Sequence, residues 1–265
     1  MLDEHWDPRP YPREDLARAL VAGGVAGPAG HQHDNVFGNI RKLVEHDPDK
    51  LFGLSEMPEP FGFEDIVRFV GEAAGVPIDA LATEGSPDID SGAVLDACEA
   101  VGDRLAEAAS QGERILFATG HPGDLDPLYD AIADLAATRG ARIVRPAEGV
   151  TWGDPTVDHG WTIAYHGAVG MVTDGRRPRH THRPDPMKRM LEEGRPDLVV
   201  ADHGFAGAAI QSGVETLSVA DVNDPALIVA KAQGRTELVV VLDDHVPPEA
   251  YWPCFQAVAA RFSAR

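Results

Sequence analysis

The spacing of apolar residues changes once along this chain. Up to residue 112 it is helical. NVFGNIRKLVEHDPD carries apolar residues at 36, 37, 40, 43 and 44, and FEDIVRFVGEAAG repeats the pattern before it stops at Gly75. EDLARALVAGG predicts a shorter helix, and SGAVLDACEAVGDRLAEAASQG, from Ser91 to Gly112, predicts the longest. Stretches rich in Pro and Gly separate these segments and predict turns. Cys98 falls on the apolar stripe of the long helix, where core packing accounts for it.

From Arg114 onward, short apolar runs alternate with helical patterns. RILFAT leads to DLDPLYDAIADLAATRG and then to ARIVRPA, read as a strand. WTIAYHGAVGMVTDG alternates and bends at Gly167, as a β-hairpin does. PDPMKRMLEEG is a short helix with proline near its start. DLVVA, ETLSVA and ELVVVL are then each followed by a helical segment, the last being PEAYWPCFQAVAARF. Strands joined by helices of ten or so residues pair in parallel through right-handed crossovers. Near-continuous Val, Leu and Ile fits strands covered on both faces. The expectation is an α/β fold, a three-layer parallel-sheet sandwich with an N-terminal helical subdomain. Residues 1–112 are expected to form the helical cap region and residues 113–265 the α/β domain, together as one integrated globular unit.

Four of these strands end alike. RILFAT runs into Gly120-His121-Pro122-Gly123-Asp124, DLVVA into Asp202-His203-Gly204, ETLSVA into Asp221-Val222-Asn223-Asp224, and ELVVVL into Asp243-Asp244-His245. In a parallel sheet these carboxyl ends share one rim, where ligands bind. Helix capping explains a single Asp after a strand, and it is the reading for Asp224 before Pro225, for Asp126 before Pro127, and for Asp34 or Asn35 at the start of a helix. It explains a whole rim of acids poorly, because neighbouring carboxylates repel unless a cation or donor compensates.

Charge narrows the chemistry. The formal net charge is −20, from 43 acidic and 23 basic residues. Nucleic acid and anionic membrane are poor partners for such a surface. No apolar stretch reaches a membrane span, the N-terminal residues lack a signal-peptide pattern, and Cys98 and Cys254 form no CxxC, so a cytoplasmic location is expected. A homo-oligomer is left open. Oxygen donors with a few imidazoles suit a divalent metal ion, with Mg²⁺ or Mn²⁺ ahead of Zn²⁺. Asp202, Asp221, Asn223, Asp243 and Asp244 are the candidate metal ligands. His121, His203 and Asp202 are the candidate catalytic groups, the histidines as acid, base or ligand.

One island is basic. Arg176, Arg177, Arg179 and Arg183 crowd around His180 and His182. It reads either as a solvated hairpin tip or as an arginine clamp for phosphate, with the HTH pair on one face of a strand. Gly120 and Gly123 flank a turn whose amides could cradle an anion. Arg179, His180, His182 and Arg183 join those glycines as candidate substrate-binding residues.

Residues from about 31 to 254 resemble a family of actinobacterial-type proteins labelled generically as phosphatases. TGHPGDL, HTHRPDPM, DLVVADHGFAGAAI, SVADVNDPALIVAKAQGRTELVVVLDD and PEAYWPCFQA carry the resemblance. In layout the chain is distantly similar to the DUF89 metal-dependent phosphatases. That pattern expects Asp-Asn and a lysine where Gly120-His121 and Asp202-His203 stand. GHPGDL is also similar to the HPDDE turn of zinc-dependent LmbE-like deacetylases, but Gly123 stands at the position of the base and Leu125 at that of a ligand. The resemblance implies a metal-dependent phosphatase acting on a small phosphorylated metabolite. The alternatives are a non-catalytic metabolite-binding module, or another enzyme using the same rim, such as a C–N hydrolase or an isomerase.

Overall fold

The computed structural model describes residues 6–154 and 157–263. The helical pattern of the first part becomes α1 (Arg13–Ala22), α2 (His33–Val44), a single turn α3 (Pro48–Leu51), α4 (Phe63–Ala74) and α5 (Ser91–Gln111). Two short pairs of residues, β1 (Gly27–Pro28) and β2 (Asp88–Ile89), join as a separate antiparallel ribbon. The long helix starts where its sequence says: the Asp90 side chain accepts from the Ala93 amide at 2.8 Å, satisfying a donor of the first turn.

The second part is β3 (Arg114–Ala118), α6 (Asp126–Thr138), β4 (Arg142–Ile143), β5 (Thr151–Asp154), β6 (Val157–His166) and β7 (Val169–Thr173). It continues with α7 (Asp185–Glu193), β8 (Leu198–Asp202), α8 (His203–Gln211), β9 (Glu215–Ala220), α9 (Ala226–Ala232), β10 (Leu238–Val241) and α10 (Trp252–Ser263). The sheet order is β10-β9-β8-β3-β7-β6-β5, with β4 also beside β3. Pairing is parallel from β10 to β7 and antiparallel in the β7-β6-β5 meander. This is the expected α/β sandwich with a mostly parallel sheet.

Crossover handedness assigns the layers. The chain moves from β3 toward β4 through α6, and in the opposite direction from β8 to β9 and β10 through α8 and α9. Right-handed crossovers therefore put α6 on one face and α8 and α9 on the other. Helices α5 and α10 pack together and join α6, while α7 lies against α8 and α4 against α9. The strands between them are buried: Leu116, Phe117, Leu198 and Val199 are fully enclosed. Each such side chain contributes on the order of 1.5–3 kcal/mol of transfer free energy, before the entropy of ordering it. No helix among the described residues is long and apolar enough to cross a membrane.

Several local expectations are corrected. ARIVRPA yields only the two-residue β4, because β3 offers it just Arg114 and Ile115 and gives the rest of that edge to β7. His180 and His182 are not on a strand. They lie in the irregular segment between β7 and α7, beyond an isolated bridge of Thr173 with Pro178. Asp34 and Asn35 are inside α2 rather than at its cap, which is Gln32. Asp126 and Asp224 do not cap α6 and α9. The Asp126 carboxylate is held by the Gly123 amide and by His166, and that of Asp224 by Lys50.

Candidate functional site

β3 and β8 are neighbours at the point where the connections diverge, toward β4 on one side and toward β9 on the other. Their ends, Thr119-Gly120-His121 and Asp202-His203, emerge side by side at this switch point. Asp202 is fully buried between them. Its Oδ2 accepts from Thr119 Oγ1 at 2.6 Å and its Oδ1 from the Gly120 amide at 2.7 Å. The same Oδ1 lies 3.0 Å from His203 Nδ1, and Thr119 Oγ1 accepts from the His121 amide at 2.8 Å. Both oxygens of Asp202 are thereby engaged, and they fix the direction of the His203 ring. His203 itself has φ +44°, a left-handed conformation that costs a side-chain-bearing residue on the order of 1–3 kcal/mol and that the packing must impose.

With Nδ1 on Asp202, Nε2 of His203 faces two more acids, 3.5 Å from Asp244 Oδ2 and 3.7 Å from Asp224 Oδ2. The other oxygen of Asp244 lies 3.4 Å from His121 Nδ1. Across the His121 ring, Nε2 is 3.4 Å from Asp124 Oδ2, which also meets His245 Nδ1 at 3.1 Å. The His121 and His245 rings are parallel, with centroids 5.5 Å apart.

The HTH segment closes on this group because two glycines let it. The Thr181 amide donates to the Gly120 carbonyl at 2.9 Å. A Cβ on Gly120 would overlap the Thr181 carbonyl oxygen, and one on Gly204 would overlap those of His182 and Arg183. The close approach places the His180 ring 4.5 Å from that of His121 and 5.2 Å from that of His203. The His182 ring lies 4.9 Å from His203 and 5.1 Å from His180, with Nδ1 3.0 Å from Asp49 of α3.

The N-terminal region supplies partners for the remaining acids. The Gly30 amide donates to Asp243 Oδ2 at 2.7 Å, and the His245 amide to Asp243 Oδ1 at 3.1 Å. His31 Nδ1 sits 3.0 Å from Asp221 Oδ2 without the alignment of a hydrogen bond. Asn39 Nδ2 donates to the Asn223 carbonyl at 3.0 Å. Lys50 Nζ donates to Asp224 Oδ1 at 2.7 Å, both side chains buried. Lys50 and Asn39 were not legible as site residues, since helical periodicity gives the buried face of a short helix but not which strand end it meets.

Burial and charge divide the histidines. Burial works against the His203 cation, but Asp202 and Asp224 outweigh it and hold the pKa well above the ordinary value. Burial likewise opposes the His121 cation, and Asp244 more than compensates, leaving a raised pKa. Asp221 beside it raises that of His31. His180 goes the other way, to about 4, because burial and the neighbouring His203, His121 and His182 all disfavour its charge. His182 is lowered by burial and by His203. Among the acids, burial and the nearby Asp244 and Asp243 push Asp221 up to about 7, against the pull of His31.

The geometry thus gathers His121, His180, His182, His203, Asp202, Asp221, Asp243 and Asp244 at one rim, with Asn223 turned to Asn39 through its carbonyl. It takes the arginines elsewhere. Arg183 is paired with Asp154 and Asp185 and lies over the Trp161 ring, and Arg179 is 3.8 Å from Asp174. The turn amides are also committed, Gly120 to Asp202 and Gly123 to Asp126 Oδ1, so the anion cradle expected from GHPGD is engaged within the protein. Asp126 Oδ2 meets His166 at 2.8 Å.

The donor set fits a metal. His121 Nδ1, His31 Nδ1, Asp221 Oδ2, Asn223 Oδ1 and Asp244 Oδ2 are buried atoms without a hydrogen-bond partner. An orphaned buried polar atom costs on the order of 1–3 kcal/mol. Donor atoms facing one another at 3–3.5 Å without the alignment of a hydrogen bond are what ligands of a common cation look like. Among the described residues, three groups of donors lie mutually within 4.8 Å: His121, His203 and Asp244; His180, His182 and His203; His121, Asp124 and His245.

Comparison with known proteins bears on what such a rim does. Residues 11–264 match the model of a family described as Phosphatase. The chain is 37% identical over 246 residues to a Streptomyces coelicolor protein named Phosphatase SCO2771, a match that covers 91% of this chain and 92% of that one.

Proposed function

The chain belongs to the Phosphatase family, and from that premise we propose that it is a metal-dependent phosphomonoesterase acting on a small phosphorylated metabolite at the carboxyl ends of its parallel strands. The observation that carries the metal requirement is the contact between Asp244 and two histidines. Its Oδ2 and His121 Nδ1 are buried and unpartnered, and His203 Nε2 points at the same carboxylate.

Electrostatics supports the same reading. A phosphate ester brought to Asp202, Asp221, Asp224, Asp243 and Asp244 meets carboxylates, while the nearby arginines and turn amides are engaged elsewhere. Lys50 and the histidines offset part of that negative charge, and further positive charge makes the rim more hospitable to an anion. Bound cations supply it: they neutralise phosphoryl oxygens and lower the pKa of a bound water to near neutrality.

The protein's own groups have distinct tasks. Asp202 holds His203 Nδ1 and leaves Nε2 as the donor toward the rim, the role of an outer carboxylate behind a ligating imidazole. Asp243 ties Gly30 to the end of β10 and keeps the N-terminal region over the site. His180 and His182, with lowered pKa values, present neutral rings at pH 7 and so free lone pairs. The number of imidazoles moves the choice of metal toward Mn²⁺ or Zn²⁺ and away from Mg²⁺. The reading is tested by phosphate release from a panel of phosphorylated metabolites, including nucleotides and sugar phosphates. Hydrolysis of a subset by purified protein supports it, and no release from any of them with any of these metals overturns it.

A further inference from the structure

We propose that the site holds two cations at once, in separate seats on His203 and His121, with Asp244 between those two rings. Its place in catalysis rests on the metal-dependent reading above, but the seats themselves rest on geometry alone. Of the three donor groups, two share no residue. His180, His182 and His203 form one, and His121, Asp124 and His245 the other. An imidazole nitrogen gives its lone pair to one cation, so only such disjoint groups can be filled together. Three protein ligands with an open position is the usual provision for a catalytic metal.

Asp244 touches the two seats in different ways: Oδ2 faces the His203 seat, and Oδ1 lies at His121 Nδ1, behind the Nε2 that faces Asp124 in the other seat. Oδ1 is 3.4 Å from His121 Nδ1 and Oδ2 is 3.5 Å from His203 Nε2, where the other ring nitrogen of His203 is already tied to Asp202. The carboxylate is buried and its Oδ2 has no hydrogen-bond partner. The Oδ1 contact places Asp244 behind His121 as Asp202 lies behind His203, an outer carboxylate that directs the opposite ring nitrogen into its seat. Each seat also grades from buried to exposed, with His203 and His121 inside and His180 and His245 at the surface, which gives each cation a way in.

The experiment is metal counting on chelated wild-type protein reloaded with Zn²⁺ or Mn²⁺ and freed of excess. About two equivalents per chain are expected. His180→Ala/His182→Ala and, separately, Asp124→Ala/His245→Ala should each retain about one equivalent. A wild-type content of about one equivalent overturns the proposal without recourse to any variant. If a double variant is unfolded by circular dichroism, the same residues are changed to Gln or Asn. None of these readouts uses substrate: two bound metals with no phosphate release would sink the phosphatase reading and leave the two seats standing.

Discussion

Asp202 Oδ1 stands 3.0 Å from Nδ1 of its own neighbour His203, and the same carboxylate takes the Gly120 amide from the adjacent strand. Two residues that read in the sequence as equivalent rim donors thus have unequal tasks. Asp202 lies behind His203 and sets its direction. Asp202→Asn keeps the shape but replaces an acceptor toward His203 by an amide. Metal affinity and kcat/KM should fall about 10–100-fold while the fold is kept, as for other outer carboxylates behind metal-bound histidines. Parallel metal titration and steady-state kinetics check this, and a rate fall without an affinity change would place Asp202 in the chemistry directly.

Gly204→Ala tests how the HTH segment is seated. The added methyl collides with the His182 and Arg183 carbonyls, which must move and carry His180 and His182 with them. Destabilisation of about 1–3 kcal/mol, the usual cost of overpacking, is expected in urea unfolding of the chelated protein. Metal affinity should weaken as well. Unchanged stability would mean that the segment yields freely and is not held against β8.

Lys50 and Asp224 form a buried pair between α3 and the end of β9. Lys50→Met leaves a buried carboxylate with only histidines, His203 and His182, to offset it and should cost about 3 kcal/mol, near the lower end for breaking such a pair. Lys50→Met/Asp224→Asn should recover part of that loss. A double-mutant cycle by chemical denaturation measures the coupling, and a value near zero would show that the two charges do not depend on each other.

The pH dependence of stability should reverse when metal binds. In chelated protein, His203, His121 and His31 have raised pKa values. Their stabilising protonation is fully present below the unfolded value of about 6.5 and is lost as pH rises through the folded values. Stability should therefore decline from about pH 6.5 upward. Metal requires the unprotonated rings, so binding releases protons and its stabilisation grows with pH over the same window. Thermal unfolding with and without Mn²⁺ should show opposite slopes, and parallel slopes would contradict the assignment of these histidines as ligands.

The parts of this molecule visible in the sequence are those set by local periodicity. β3, β8, β9 and β10 appear as apolar runs, and their common ending in Asp and His follows from parallel pairing alone. The contact of HTH with Gly120 and Gly204 was not visible, because nothing local announces that a carbonyl will rest on a missing Cβ. Asp224 had the sequence of a helix cap, yet it answers to Lys50, which is distant in the chain. Arg179 and Arg183 looked like a phosphate clamp because their acidic partners Asp174, Asp154 and Asp185 lie in the same strand-and-turn region, and composition cannot tell a paired arginine from a waiting one.

The central claim is most directly tested by titrating chelated wild-type protein with Mn²⁺ or Zn²⁺ while following phosphate release from one hydrolysed phosphomonoester. The account predicts negligible release without metal and a saturable return of activity, lost in His203→Ala. Full activity in the chelated protein, or in His203→Ala at saturating metal, would contradict it.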